Sequence, residues 1–170
     1  MIRRALPKDI DEIMDIVHSA QLSLRELGID QWQDGYPTRQ AIEDDVAQSV
    51  GYVCICDDSV VGYAAIVLTG EPAYEQIADS WHYGNNYVVV HRLCISGSHR
   101  RRGIALDLMR YAADMCQERG YRAFRIDTHE VNTRMLSMLE KLGFEYRGVI
   151  LYDSGKRVAY ELDLNTNNTL

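Results

Sequence analysis

The sequence predicts one mixed α/β domain, and three features carry that expectation. A β-branched run at 88–95, VVVHRLCI, passes through a short polar turn into apolar residues at helical spacing from Ile104 onward. Two stretches ahead of it, 9–27 and 38–49, have helical apolar spacing or a helix cap. Finally, β-rich runs come in pairs joined by short polar turns at 57–59 and 153–155, as antiparallel hairpins do.

Taken in order, residues 2–5 form a short strand stopped by Pro7. Ile10, Ile13, Met14, Val17, Leu24 and Leu27 then line one face of a helix that Gly28 ends. The IDQWQDGYP segment at 29–37 is a loop whose Trp32 and Tyr36 suit either a packed hinge or an acceptor pocket. Thr38, behind Pro37, caps a second helix to about Ser49. Residues 52–56 and 60–68 form a hairpin around Asp57-Asp58-Ser59, and 71–87, with Tyr74, Trp81, His82 and Tyr83, is a long irregular loop of the kind that often serves function. Beyond the central strand, a helix over 103–119 stops at Gly120, and 121–129 is a strand with Arg125, Asp127 and His129 on one face. Asn132 caps a helix that Gly143 ends, 144–152 and 156–162 form the last antiparallel pair, and the tail at 166–170 is expected to fray.

A chain of 170 residues suits a single domain, here 1–165, that buries most of its unfolded surface without staples. The net charge of −7 disfavours a nucleic-acid partner, which calls for a basic surplus to neutralise phosphates, and mildly favours a cationic one. Cys54, Cys56, Cys94 and Cys116 lack zinc-ligand spacing, so no metal is expected, and Cys54 and Cys56, on one face of a strand, are expected to be small buried apolar residues. The N-terminus has no apolar core of signal length, and no stretch approaches the roughly 20 apolar residues of a membrane span. A reducing cytoplasm is the expected location.

Chemistry concentrates at the junction of the central strand and the following helix. Arg100, Arg101 and Arg102 precede Gly103, Ile104 and Ala105. The first turn of a helix leaves N–H groups without partners and carries the positive end of the helix dipole, which favours an anion. Small residues at 103 and 105 let that anion approach the backbone. The dipole supplies only about 0.3 to 2 kcal/mol, so the arginines and close amides are expected to supply the rest, around a pyrophosphate.

This RRRGIA segment resembles the [Q/R]-x-x-G-x-[G/A] pyrophosphate loop of the GCN5-related N-acetyltransferases, the GNAT superfamily. A second resemblance lies downstream, where Asn132 followed by Glu140-Lys141-Leu142-Gly143-Phe144 is similar to the N-x(7)-E-K-x-G-F segment that packs on coenzyme A in that family. The resemblance implies the GNAT fold: a mixed, mostly antiparallel twisted sheet of about seven strands flanked by about four helices. It implies acetyl-CoA as co-substrate and an amine acceptor. Leu93, Cys94 and Ile95 would pair with pantetheine, the loop Arg100, Arg101, Arg102, Gly103, Ile104 and Ala105 would hold the pyrophosphate, and Asn132 and Lys141 would also serve the coenzyme.

The same resemblance implies direct attack of a neutral amine on the thioester, assisted by a general base. His91 stands where some relatives carry a histidine near the acceptor, and His129 ends its strand beside Asp127. Either histidine could instead be merely packed, and Asn132 could be only a cap. One departure stands out: the tyrosine that many relatives use as general acid is Leu139 here, leaving Tyr146 or Tyr152 as substitutes. Three readings follow: an N-acetyltransferase, a GNAT-fold module that binds or senses acyl-CoA without turnover, or a generic anion or nucleic-acid patch at the three arginines, against which the negative charge and the flanking strand and helix weigh. The apolar edges and final hairpin suggest a homodimer.

Overall fold

Local signals place nearly every element in the computed structural model, which describes residues 1–165. The frayed tail expected over 166–170 lies outside the described residues. The strands are β1 (Ile2–Arg4), β2 (Gly51–Cys56), β3 (Ser59–Val67), β4 (Tyr87–Ile95), β5 (Ala123–Thr128), β6 (Glu145–Tyr152) and β7 (Gly155–Asp163). The helices are α1 (Ile10–Glu26), α2 (Arg39–Ala47), α3 (Ile104–Glu118) and α4 (Thr133–Lys141). The strands make one seven-stranded sheet in the order β1-β2-β3-β4-β5-β7-β6. The β1–β2, β2–β3, β5–β7 and β6–β7 pairs are antiparallel, and β4 and β5 are parallel over Tyr87–Val89 and Ala123–Arg125. Among the described residues, no helix is long and apolar enough to cross a membrane.

Several ends follow expected chemistry. Thr38 accepts a hydrogen bond from the Ala41 amide at 3.1 Å and starts α2, while Asn132 accepts one from the Met135 amide at 3.3 Å and starts α4. Asp57 and Asp58 take left-handed φ values of 47° and 61°, as a tight hairpin turn requires. One expectation needs correction: 71–87 is not simply irregular. Glu71 caps 3₁₀ turns over Pro72–Ser80, because its carboxylate accepts from the Ala73 amide at 3.1 Å and Pro72 supplies a helical φ.

The chain groups into two compact units, 1–66 with 90–111, and 67–89 with residues from 112 onward. In the first, Ile13 and Val17 of α1, Ile42 of α2, Val53, Val60 and Tyr63 of β2 and β3, and Cys94 of β4 form a buried cluster. A side chain of that size contributes about 1.5 to 3 kcal/mol on full burial. The other face of β3 in this unit is set by Gly62, where an added Cβ would stand 2.8 Å from Ile104 and 2.9 Å from Ile95. Only a missing side chain lets α3 sit so close.

In the second unit Tyr74, Tyr87, Val89, Ala123, Ile150 and Ala159 form the buried cluster, with Trp81 and Tyr152 packed against it. Phe124 and Phe144 meet edge to face at 5.1 Å. The segment after the 3₁₀ turns is pinned from beneath by Glu161, which is fully buried. Its carboxylate accepts from Arg125 Nε and Arg147 Nε, each at 3.0 Å, and from the His82 amide at 2.8 Å. The Arg125 guanidinium lies 4.0 Å from the Tyr87 ring centre and 4.4 Å from that of Trp81, and donates to the Gly84 carbonyl. Residues 81–84 are therefore a fixed wall in this unit.

Candidate active site

In the first unit, the last residues of β4, one polar turn and the head of α3 form a continuous run. Leu93 and Ile95 are half-buried, whereas the Cys94 side chain is in the core and burial pushes its thiol up to about 12. Ser96 returns to β3 through its amide, 2.9 Å from the Val61 carbonyl. The hydroxyls of Ser96 and Ser98 lie 3.1 Å apart, and Ser98 Oγ lies 2.9 Å from His99 Nδ1, so the side chains of 96–99 brace one another.

The expected anion loop is an exposed, sharply turned segment ahead of α3. Arg100, Arg101 and Arg102 are all exposed, and Arg100 is steadied by donating to Ser23 Oγ at 3.1 Å. Arg101 and Gly103 adopt φ of 62° and 84°, turning the backbone sharply before α3. The Asp107 amide closes the first helical bond on the Gly103 carbonyl at 2.9 Å, so the amides of 104–106 head the helix without helical acceptors. A Cβ at Gly103 would meet nothing within 4 Å, so the space beside Gly103 itself is open. Exposed guanidinium groups, helix-head amides without helical acceptors and a 15-residue helix could hold the pyrophosphate of a coenzyme.

His91 sits half-buried on β4 in this unit. Next to it stands a residue that nothing in the sequence singled out. Arg92 has φ 56° inside a strand, and its guanidinium donates to both oxygens of Asp45, from Nε at 2.7 Å and Nη2 at 2.5 Å. Nη1 donates to the Tyr36 hydroxyl at 2.5 Å, and Tyr63 donates to Asp45 Oδ2 at 2.5 Å. Burial works against the Arg92 charge, but Tyr36 and Asp45 outweigh it and raise its pKa. Burial, then Asp45, drives the Tyr63 phenol upward. One signal was available: Asp45 follows Ile42 by three and precedes Val46, a carboxylate on the apolar stripe of α2. Of the two loop aromatics, Trp32 packs on the core and Tyr36 reaches Arg92.

In the second unit, β5 carries Asp127, and His129 follows directly after its end rather than lying on the strand as expected. Asp127 Oδ1 accepts from Tyr74 at 2.8 Å and from Tyr152 at 3.3 Å. Burial first, and then Asp127, raises the pKa of both phenols. Tyr152, one of the two substitutes for the missing acid, thus has its proton directed at a carboxylate; Tyr146 is exposed, edge-on to Tyr160 at 5.8 Å. His129 accepts at Nδ1 from the Val131 amide at 3.3 Å. Asn132 caps α4 through its oxygen and donates through Nδ2 to Thr128 at 3.4 Å, while Lys141 is exposed in the last turn. Leu139 is fully buried. All four cysteines are free; Cys54 is buried as expected, but Cys56 is only half-buried, because the register shifts between Cys54 and Ile55 near the hairpin turn, and burial raises the thiol of Cys116 to about 11. No group of three or more potential metal ligands occurs among the described residues.

A strand, an arginine turn with a left-handed glycine and a helix head thus follow one another in one run of the first unit. The chain belongs to the acetyltransferase (GNAT) family, whose model matches residues 14–144. It is similar to a GNAT-family acetyltransferase from Streptococcus agalactiae, with 36% identity over 96% of this chain and 94% of that one and a TM-score of 0.82. The fold is shared with a GNAT-family acetyltransferase from Listeria monocytogenes (19% identity, 96% and 94% coverage, TM-score 0.75). It is shared too with an N-acetyltransferase from Staphylococcus aureus (21% identity, 97% and 98% coverage, TM-score 0.70). A search of curated proteins gave no significant match.

Proposed function

We propose that residues 1–165 act as one domain that transfers the acetyl group of acetyl-CoA to the nitrogen of a primary amine, on a small molecule or a protein, in a reducing cytoplasm. The observation that carries this reading is the left-handed Gly103 between three exposed arginines and the head of α3. Arg100, Arg101 and Arg102 and the amides from Gly103 to Ala105 hold the pyrophosphate. The backbone of Leu93, Cys94 and Ile95 pairs with pantetheine, and Asn132 and Lys141 serve the coenzyme from the start and end of α4. Acetyl-CoA supplies an activated acyl carbon.

The remaining task is to neutralise the amine. A lysine-like amine of pKa about 10.4 costs about 4 to 5 kcal/mol to deprotonate at pH 7, and a general base offsets much of this. His91 is the better candidate. His129 accepts at Nδ1, so its neutral ring carries the proton on Nε2 and must give up the bond to Val131 before taking another. We expect His91→Ala to lower kcat by roughly 10²- to 10⁴-fold with coenzyme affinity retained, and His129→Ala to lower it by less than about tenfold. Steady-state rates with an amine panel, read by thiol release, check both; a larger loss at His129 would exchange the roles.

The competing reading is a module that binds or senses acyl-CoA. It is favoured by the buried Leu139 and by the engagement of Tyr152 with Asp127. Absence of acceptor-dependent thiol release across a broad panel, with coenzyme bound, would select it.

A further inference from the structure

We propose that Arg92 is a positioning residue for the transfer reaction, holding a left-handed step in β4 that fixes His91 on one side and the backbone of Leu93–Ile95 on the other. This rests on the acetyltransferase reading above. The observation is a residue with a side chain at φ 56° in mid-strand, a conformation that L residues adopt only where the surroundings enforce it. A step of this kind breaks the regular pleat and re-aims the neighbouring side chains.

The enforcement comes from a clasp within the first unit. Both Asp45 oxygens engage the planar fork of Arg92, at 2.7 and 2.5 Å, which fixes the guanidinium in plane as well as in place. Tyr63, fully buried, donates to Asp45 and fixes the carboxylate in turn. Nη1 holds the Tyr36 hydroxyl and so ties the segment ahead of α2 to the same point. Arg92 and Asp45 side chains are only 15% and 6% exposed. A pair so far from water is a poor device for stability, because apolar residues of similar volume often serve as well. It is a good device for geometry, and the residues it adjoins are those assigned to the base and to pantetheine.

The test is Arg92→Lys, which keeps the charge and loses the fork. Rates are taken per folded molecule, so that lost stability does not enter. We expect kcat to fall about tenfold or more and the coenzyme A dissociation constant, from isothermal titration, to rise severalfold, with the amine KM changed less. A folded Arg92→Lys with kcat and coenzyme affinity both within about twofold of wild type would overturn the proposal. If Arg92→Lys does not fold, Tyr36→Phe decides, since that phenol is exposed and loses one hydrogen bond. A severalfold fall in kcat supports the clasp, and an unchanged kcat overturns it. Should the wild-type protein turn over no amine, the acetyltransferase reading fails separately. Coenzyme A affinity in the same variants then judges the clasp: weakened binding supports it and unchanged binding overturns it.

Discussion

Gly103→Asp is expected to cost the protein about 10²-fold or more in affinity for acetyl-CoA while leaving it folded. Two effects act together. Aspartate must adopt a φ of 84°, which costs about 1 to 3 kcal/mol for a residue with a Cβ. It also places a carboxylate beside the helix-head amides and three arginines, where a phosphate is assigned. Packing adds nothing, since a Cβ there meets no atom within 4 Å. Isothermal titration with acetyl-CoA and coenzyme A reads the loss. An affinity within about threefold of wild type in a folded Gly103→Asp would remove the pyrophosphate from this loop.

Glu161→Ala is expected to be the most destabilising of the substitutions considered. It leaves Arg125 and Arg147 without their buried partner and orphans the amides of His82 and Tyr83. Removing one member of a buried ionic pair costs about 3 to 5 kcal/mol, which for a chain of this size lowers the unfolding midpoint by roughly 10 °C or more. Glu145→Ala is the control, because it removes a carboxylate that also pairs with Arg147 but is 56% exposed. That change should cost under about 1 kcal/mol. Equal shifts for the two variants in thermal and chemical unfolding would show that burial is not what makes Glu161 matter.

These two sites differ in how far the sequence reveals them. Gly103 could be read in advance because the loop is contiguous: strand, arginines, glycine and helix follow one another, and each has its own chemistry. The same holds for Thr38 and Asn132, whose hydrogen-bond donors are amides three residues on. Glu161 could not be read in this way. It meets Arg125 from 36 residues away, and Asp45 meets Arg92 from 47. Strand alternation put Arg125 on the polar face of β5, yet the residue is only 3% exposed because Trp81 and Tyr87 cover that face. Alternation reports which residues share a face and is silent on what covers it. The left-handed φ of Arg92 is hidden for a related reason, since a glycine would have signalled it and an arginine held by remote partners does not.

The histidines show the same boundary at the level of chemistry. Both were visible as candidates on strands. The Val131 amide at His129 Nδ1 is a turn hydrogen bond that only coordinates disclose.

If this chain binds acetyl-CoA through the loop ahead of α3, thermal unfolding of the wild-type protein with acetyl-CoA, coenzyme A, ATP or no ligand will report it. At about 100 times its dissociation constant a ligand adds roughly 2.7 kcal/mol, which should raise the midpoint by about 5 to 10 °C. A rise with acetyl-CoA and coenzyme A but not with ATP is the predicted result. No rise with saturating acetyl-CoA would contradict the account.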